Sequence, residues 1–499
     1  METALYLILL FCLLGPSLTL PLLDTSLKAN IKDDEHPGDN NIFSNIMKAN
    51  QGSRRLRKQG DIAIKTRRNA IDCPECLWPK SSDGIVYVPY TVSSQYSDDE
   101  VSVITKAMEE YNGLTCLQFT PRTNEDNYVS IQSLDGCWSF IGLYGGSQAV
   151  SLMKGFCVYN GAVQHELTHA LGFYHEQCRS DRDDYVTIMY QYISPEDKVN
   201  FDKADTNNLG VVYDYSSIMH YGSNAFSNTS GENTIVPHPN PNVTLGQSYG
   251  LSNLDVLKIN RLYGCDVCST LLSASNGTLT SVNYPSNYQN NANCVWLIRT
   301  PSDQVTLKFD AFKVQQSTGC IKDYIRVYDG ATRSAPMILD KTCGTGRVPV
   351  MIASTNHMLV EFVTDNAITA TGFKASYSTV KCGGTFYTPS RNITTPNYPN
   401  SYPPNLDCQF LITAPPFYKV ALNISDFFLE MSSTCKYDYL EIYNGDSMNA
   451  PKMGSSKYCG YQIFNVMVSD GRSMLLRFYS DDAVQMYGFK ASYTFVPSV

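Results

Sequence analysis

The 499-residue sequence predicts a multidomain chain, an α+β domain followed by two all-β sandwiches. Three observations carry that reading. The string HELTHALGFYHEQ, from His165 to Gln177, has the spacing of a metal site built on one helix. A pattern of cysteines and turn residues after Cys265 occurs twice in register. Within each copy, short runs such as Val305 to Phe309 and Leu475 to Phe478 read as strands set off by turns.

At the N-terminus, residues 3–14 are almost wholly apolar and are followed by Gly15, Pro16 and Ser17. The run is too short to span a bilayer, so 1–19 reads as a signal peptide. Nothing later reaches 18 apolar residues in a row, and no transmembrane anchor is expected. Sixteen cysteines fit an oxidising compartment, so the chain is expected to be secreted and extracellular, with storage in secretory granules as one route out. Sequons begin at Asn228, Asn242, Asn276, Asn392 and Asn423, where glycans would mark the surface. A net charge of -9 argues against a nucleic-acid partner.

Residues 20–68 are polar, carry the basic cluster Arg54 to Lys58, and hold too little apolar surface to fold alone. They end in Lys65-Thr66-Arg67-Arg68, a site suited to a proprotein convertase or a trypsin-like activator. This composition reads as a propeptide.

The next segment carries the chemistry. His165 and His169 are four apart, so a helix points both toward one ion, and Glu166 lies beside them. Gly172 permits the backbone to leave the helix and bring His175 round as a third ligand. Three imidazoles without a thiolate leave coordination positions open, which describes a catalytic zinc and not a structural one. Glu166 can take a proton from a water at such a zinc and return it to a departing amine. The run Ser217-Ile218-Met219-His220-Tyr221 has the form of a Met-turn, with Met219 beneath the histidines.

The motif continues through Glu176-Gln177-Cys178-Arg179-Ser180-Asp181-Arg182-Asp183, and with the Met-turn it resembles the astacin family of metzincin zinc proteases over residues 69–265. That resemblance implies an α+β protease domain, one Zn2+ held by His165, His169 and His175, and peptide-bond hydrolysis with Glu166 and Tyr221 as catalytic residues. Tyr221 would be an extra zinc ligand that swings away to stabilise the tetrahedral intermediate. Glu176 would link to the new N-terminus after propeptide removal. Astacin propeptides place a Gly-Asp carboxylate on the zinc, and Gly60-Asp61-Ile62 stands in the corresponding place, so the resemblance makes Asp61 the candidate latency ligand, with a solvated acid as the plain alternative. Lys58 occupies the position of the family's aromatic residue, three before that aspartate, and Cys178 stands where serine is usual. The family pairs Cys116 with Cys265 and Cys137 with Cys157. Its hatching enzymes add a pair that Cys73–Cys76 resembles. Cys178 is left over, free, exchanging with that pair, or bridging molecules.

After Cys265, Cys268, Cys294, Cys320 and Cys343 recur as Cys382, Cys408, Cys435 and Cys459 at offsets of 114 to 116. Asn283-Tyr284-Pro285 recurs as Asn397-Tyr398-Pro399, and Gly372-Phe373 as Gly488-Phe489. The pattern looks like two CUB domains, at 268–379 and 382–495. It implies the disulfides Cys268–Cys294, Cys320–Cys343, Cys382–Cys408 and Cys435–Cys459. Some CUB domains hold calcium through a Glu and two Asp, which are hard oxygen ligands. The second repeat has Glu430, Asp438 and Asp481, so Ca2+ is expected there, with solvated loop acids as the plain alternative. The first has Asp323 and Asp365, but Gln315 replaces the glutamate.

A signal peptide, a propeptide, one astacin domain with the extra cysteines and two CUB domains together resemble the embryonic hatching enzymes of the family. The implied partner is an extracellular protein substrate, egg-envelope glycoprotein. The alternatives are a tolloid-like processing protease of matrix or growth-factor-regulating proteins, and a CUB-based binding protein with a dead protease domain. Gly222 to Ser230, after the Met-turn, contains no Lys or Arg. A neutral wall there is expected to accept small or apolar substrate residues and not to demand an acid.

Overall fold

The computed structural model describes residues 41–53, 57–64 and 76–498. The expected signal peptide, the dibasic site and Cys73, with its pairing to Cys76, lie outside the described residues. Three elements build up the first domain: a parallel sheet, a pair of long helices behind it, and a loop-rich half that closes the site from below.

The sheet runs Leu117–Pro121, Val86–Val92, Tyr128–Gln132, Ser147–Ser151, with every adjacent pair parallel. Parallel strands need helical crossovers that cover the sheet. The helix after Val86–Val92 supplies the first. Helix α1 (Ile42–Asn50) precedes the sheet, α2 (Asp98–Leu114) and α3 (Asn160–Ala170) pack behind it, and α4 (Asn253–Leu262) closes the domain. Ser97 caps α2 in a reciprocal box with Glu100, and Asp98 and Asp99 lie in the first turn, where the helix dipole favours acids. Ile104, Ala107, Met108, Tyr111 and Leu114 form its buried stripe. Helix α3 is buried from Gly161 to Ala170, and its polar groups other than the Glu166 carboxylate and His169 Nε2 are answered by neighbours within the domain. Tyr111 Oη, for example, donates to Gln164 O at 2.8 Å.

Residues 41–53 and 57–64 are docked onto the domain. Asn41 caps α1 by accepting from Phe43 N at 2.9 Å. Ile42 and Ile46 enter the main core, and Phe43 enters a second apolar cluster below the site. Past the helix the chain lies along an open edge. Asn50 Oδ1 accepts from Cys137 N at 2.7 Å while its Nδ2 donates to Cys137 O at 2.8 Å. Ala63 N then donates to Ser139 O at 2.8 Å, and Ile62 bridges Ser139 in parallel. A leader too polar to make a core borrows the core and the strand edge of its neighbour.

The two sandwiches each stack a pair of sheets. In the first, one sheet is ordered Gly277–Thr280, Gly372–Val380, Gln304–Val314, Gly344–Thr345, with Met351–Ile352 also on Gln304–Val314. Its partner sheet is ordered Met337–Thr342, Tyr324–Tyr328, His357–Val363, Asn293–Arg299, Thr270–Leu272. The second sandwich repeats the plan with two four-stranded sheets. Disulfides join Cys268–Cys294, Cys320–Cys343, Cys382–Cys408 and Cys435–Cys459 in the sandwiches, and Cys116–Cys265 and Cys137–Cys157 in the first domain. The expected fold class, an α+β domain and two all-β sandwiches, is the one observed.

The first sandwich is packed onto the α+β domain and does not hang from it. Leu271, Val295, Leu297, Tyr328 and Leu359 belong to the same apolar cluster as α2 and α3. At its centre Arg299, 3% exposed, pairs with Glu110 of α2 and donates to Leu251 O at 3.0 Å. Glu110 also accepts from Asn160 Nδ2, at the start of α3. None of the helices among the described residues is long and apolar enough to cross a membrane.

Candidate metal centre

His165 and His169 sit one turn apart on α3, and the helix ends one residue after His169. Leu171 takes the cap and Gly172 adopts φ +106°, a conformation that disfavours any side chain, so the chain turns back and delivers His175. All three rings are fully buried. Each Nδ1 lies against an oxygen: His165 donates to Ile218 O at 2.8 Å, His169 to Phe173 O at 2.7 Å and His175 to Gln59 Oε1 at 3.1 Å. A ring that donates from Nδ1 keeps its lone pair on Nε2. The three Nε2 atoms converge.

Asp61 completes the cluster. Its Oδ2 is 3.1 Å from His165 Nε2, and its Oδ1 is 3.4 Å from the Nε2 of both His169 and His175. One ligand atom from each of the four residues lies within 4.8 Å of the others. Asp61 Oδ1 and His169 Nε2 are buried and have no hydrogen-bond partner. Burial pushes His169 down and His175 down to about 3, so these imidazoles are neutral. Burial opposes a charge on Asp61, and its carboxyl stays well below the usual range only through positive charge on the side where the histidines face it, which the neutral rings do not themselves supply. A buried carboxylate among neutral imidazoles calls for a cation. Three nitrogen donors and one oxygen donor fit zinc.

Glu166 is fully buried, and neither of its carboxylate oxygens has a hydrogen-bond partner. Burial pushes its carboxyl well up, the Asp61 charge adds to this, and Arg57 works against it. Tyr221 lies with its ring centroid 4.6 Å from that of His175, and its hydroxyl donates to Gln59 O at 2.6 Å. The turn Ser217–His220 buries Met219 in the main core and aims Ile218 O at His165. Asp255 fixes that turn by accepting from Ser217 Oγ at 2.6 Å and Ile218 N at 2.8 Å.

Glu176 does not face the three histidines' nitrogens. Its Oε1 accepts from Arg179 at 3.0 Å and Asp214 N at 2.8 Å, and its Oε2 accepts from Lys258 at 2.6 Å. It borders a cavity of about 460 Å³ shared with Tyr174, Arg179, Asn207, Lys258 and Arg261. Cys178 is free and buried, 3.6 Å from Asn200 O, and burial pushes its thiol up to about 12.

In the second sandwich Glu430, Asp438 and Asp481 bring carboxylate oxygens within 4.8 Å of one another. Burial and mutual repulsion push Glu430 up, and Glu430 Oε2 has no partner. The first sandwich keeps the same scaffold. Tyr288 donates to Asp323 at 2.6 Å and Asp365 N to Asp323 at 2.8 Å, while Gln315 Oε1 is left without a partner. The five sequon asparagines are all exposed.

Several residues at the centre carry no sequence signal. Asn50, Gln59 and Phe43 come from the polar leader, and Asp255 sits on a helix unrelated to the histidine motif. Only the capping box Ser252–Asp255 marks Asp255 as special, and it marks a helix start.

Two buried imidazoles on a helix behind a parallel sheet, a third from the turn after it and an unpartnered carboxylate beside them define a metal-dependent hydrolase centre. Sequence comparison makes the class specific. Residues 73–264 match the astacin peptidase family, and residues 268–377 and 382–493 each match the CUB domain. Embryonic protein UVS.2 of Xenopus laevis is 52% identical over 456 residues, covering 91% of this chain and 88% of that one. An astacin-like metalloendopeptidase of Gallus gallus is 51% identical over 341 residues, 68% of this chain and 83% of that one. Among solved structures, the hatching-enzyme zinc protease HCE-1 of Oryzias latipes is 52% identical over 40% of this chain and all of its own, with a TM-score of 0.38. The chain belongs to the astacin family of zinc metalloendopeptidases and carries two CUB domains.

Proposed function

We propose that the chain is the secreted precursor of a hatching protease, latent until it is cut after Arg68. The observation that carries latency is the Asp61 carboxylate among His165, His169 and His175, reinforced by a leader that occupies the adjoining strand edge. The embryonic setting is supported by the likeness to Embryonic protein UVS.2 over nearly the whole chain. Egg-envelope glycoprotein is the proposed substrate. The exposed sequons support passage through the secretory route. The proposed division is a signal peptide at 1–19, a propeptide at 20–68, the protease at 69–265 and CUB domains at 268–379 and 382–495.

His165, His169 and His175 would hold the zinc. When bound, it supplies a Lewis acid that lowers the pKa of a water and polarises the substrate carbonyl. Glu166 has no competing hydrogen bond, so its carboxylate is available to take the water's proton and pass it to the departing amine nitrogen. The carbonyls of Ile218 and Phe173 keep the rings of His165 and His169 in one tautomer throughout. Loss of the leader frees Tyr221 Oη from Gln59 O, and the phenol can then donate to the developing oxyanion. The same loss frees the Cys137–Ser139 edge to pair with a substrate main chain. The cavity beside Glu176 and Lys258 is the proposed seat of the new N-terminus.

The carboxylate trio Glu430, Asp438 and Asp481 is proposed to take Ca2+. The ion would relieve their repulsion and satisfy Glu430 Oε2.

Four outcomes are expected. Isolated egg envelopes are softened by the protein cut after Arg68, while a collagen propeptide is left intact at the same dose; cleavage of the collagen propeptide alone would transfer the chain to the tolloid type. Glu166→Gln keeps stoichiometric zinc by atomic absorption but loses about 10²–10⁴-fold in turnover, since the amide cannot accept a proton. Asp61→Ala makes the uncut precursor hydrolyse casein above background, and silence of that variant would assign latency to the rest of the leader. Calorimetry on the full chain finds one Ca2+ with a Kd of about 10⁻⁴–10⁻³ M, abolished by Asp438→Ala.

A further inference from the structure

Gly60 precedes Asp61, so its main chain passes one residue away from the carboxylate among the three histidines. A Cβ added at Gly60 would lie 2.7 Å from Met47 Sδ, 3.1 Å from Phe43 Cζ and 3.3 Å from Phe226 Cζ. The space that a side chain would use at this point is therefore filled sideways, by two residues of α1. Phe43 is 2% exposed and stacks on Tyr221 with centroids 3.7 Å apart and planes at 20°. Its edge meets His175 at 5.5 Å, and Phe226 lies at 5.8 Å. Ala225, Leu245 and Phe201 belong to the same apolar cluster. Removal of the leader takes Phe43 and Met47 with it and leaves an apolar hollow next to the metal ligands.

We propose that this hollow is the side-chain site for a residue flanking the cleaved bond, and that it selects a large aromatic or aliphatic side chain. The proposal rests on the reading of the chain as a protease activated by loss of its leader, and it names the substrate class of that same site. Three features favour a large apolar occupant. The chain itself places a phenylalanine and a methionine there, which narrows the small-or-apolar expectation drawn from the uncharged wall to the large apolar side chains. The wall from Gly222 to Ser230 carries no cation, so that segment offers a desolvated substrate carboxylate no partner. The hollow is flanked by aromatic faces from Tyr221 and Phe226, which favour stacked or edge-on rings.

The test is cleavage profiling of the full chain, cut after Arg68 and loaded with zinc, on a peptide library read at both flanking positions. Phe, Tyr, Leu and Met are expected to exceed Ala, Ser and Asp by about tenfold or more at one position, the scale of discrimination an apolar pocket achieves. Phe226→Arg should draw Asp and Glu into that same position. A flat profile, or an acidic preference in the wild type, overturns the proposal while proteolysis stands. If no peptide is cut, the activated-protease reading fails, and the hollow is read by binding alone. Fluorescence anisotropy with a peptide of residues 41–64 should then show about tenfold weaker binding for Phe43→Ala and near-native binding for Phe43→Leu. Equal binding of the alanine and native peptides overturns the hollow.

Discussion

The first domain is arranged around one demand, that three imidazole lone pairs meet in a fully buried space. Such a meeting is repulsive until a cation arrives, so each ring must be held from behind. The holders are carbonyl oxygens of Ile218 and Phe173 and the amide of Gln59, set by three different segments. Two of these grips come from the domain that carries the histidines, and the third comes from Gln59, more than a hundred residues earlier.

The support goes deeper than the ring contacts. Ile218 is placed by Asp255, Asp255 by the start of α4, and α4 also carries the lysine that pairs with Glu176. Glu176 N in turn donates to Met219 O at 2.9 Å. Helix α4 is thus hydrogen-bonded to the turn beneath the metal and to the residue after His175. Burying this many charges is costly unless each is paired and hydrogen-bonded. Here the Glu176 carboxylate accepts from Arg179, Asp214 N and Lys258, and the network holds the lower half of the site in one conformation.

What could be read from sequence follows from how local each signal is. His165, His169 and His175 lie within eleven consecutive residues, and their spacing is helix geometry plus one glycine. The doubled cysteines are visible because a duplication repeats every landmark in register. Asn50 and Gln59 gave nothing, because their partners are 87 and 116 residues away and an amide side chain has no periodic signature. Arg299 was equally silent. A charged residue in a strand reads as a solvated face, and only the fold reveals Glu110, 189 residues earlier, as its buried partner. The leader was legible as a segment unable to fold alone, but sequence could not say which of its few apolar residues would be spent on the neighbouring domain.

The seam between the protease and the first sandwich has a mechanical meaning. A shared apolar core with Arg299 and Glu110 sealed inside makes the sandwich a bracket and not a leash. The first sandwich in turn presses Val350 against Leu411, Tyr443 and Leu475 of the second. An enzyme on a leash searches a sphere around its anchor and cuts whatever drifts past. One on a bracket works at a set stand-off, like a blade fixed to its guide. Anything the first sandwich came to hold would then stand at one distance and bearing from the histidine centre, before the chemistry of any single bond is consulted.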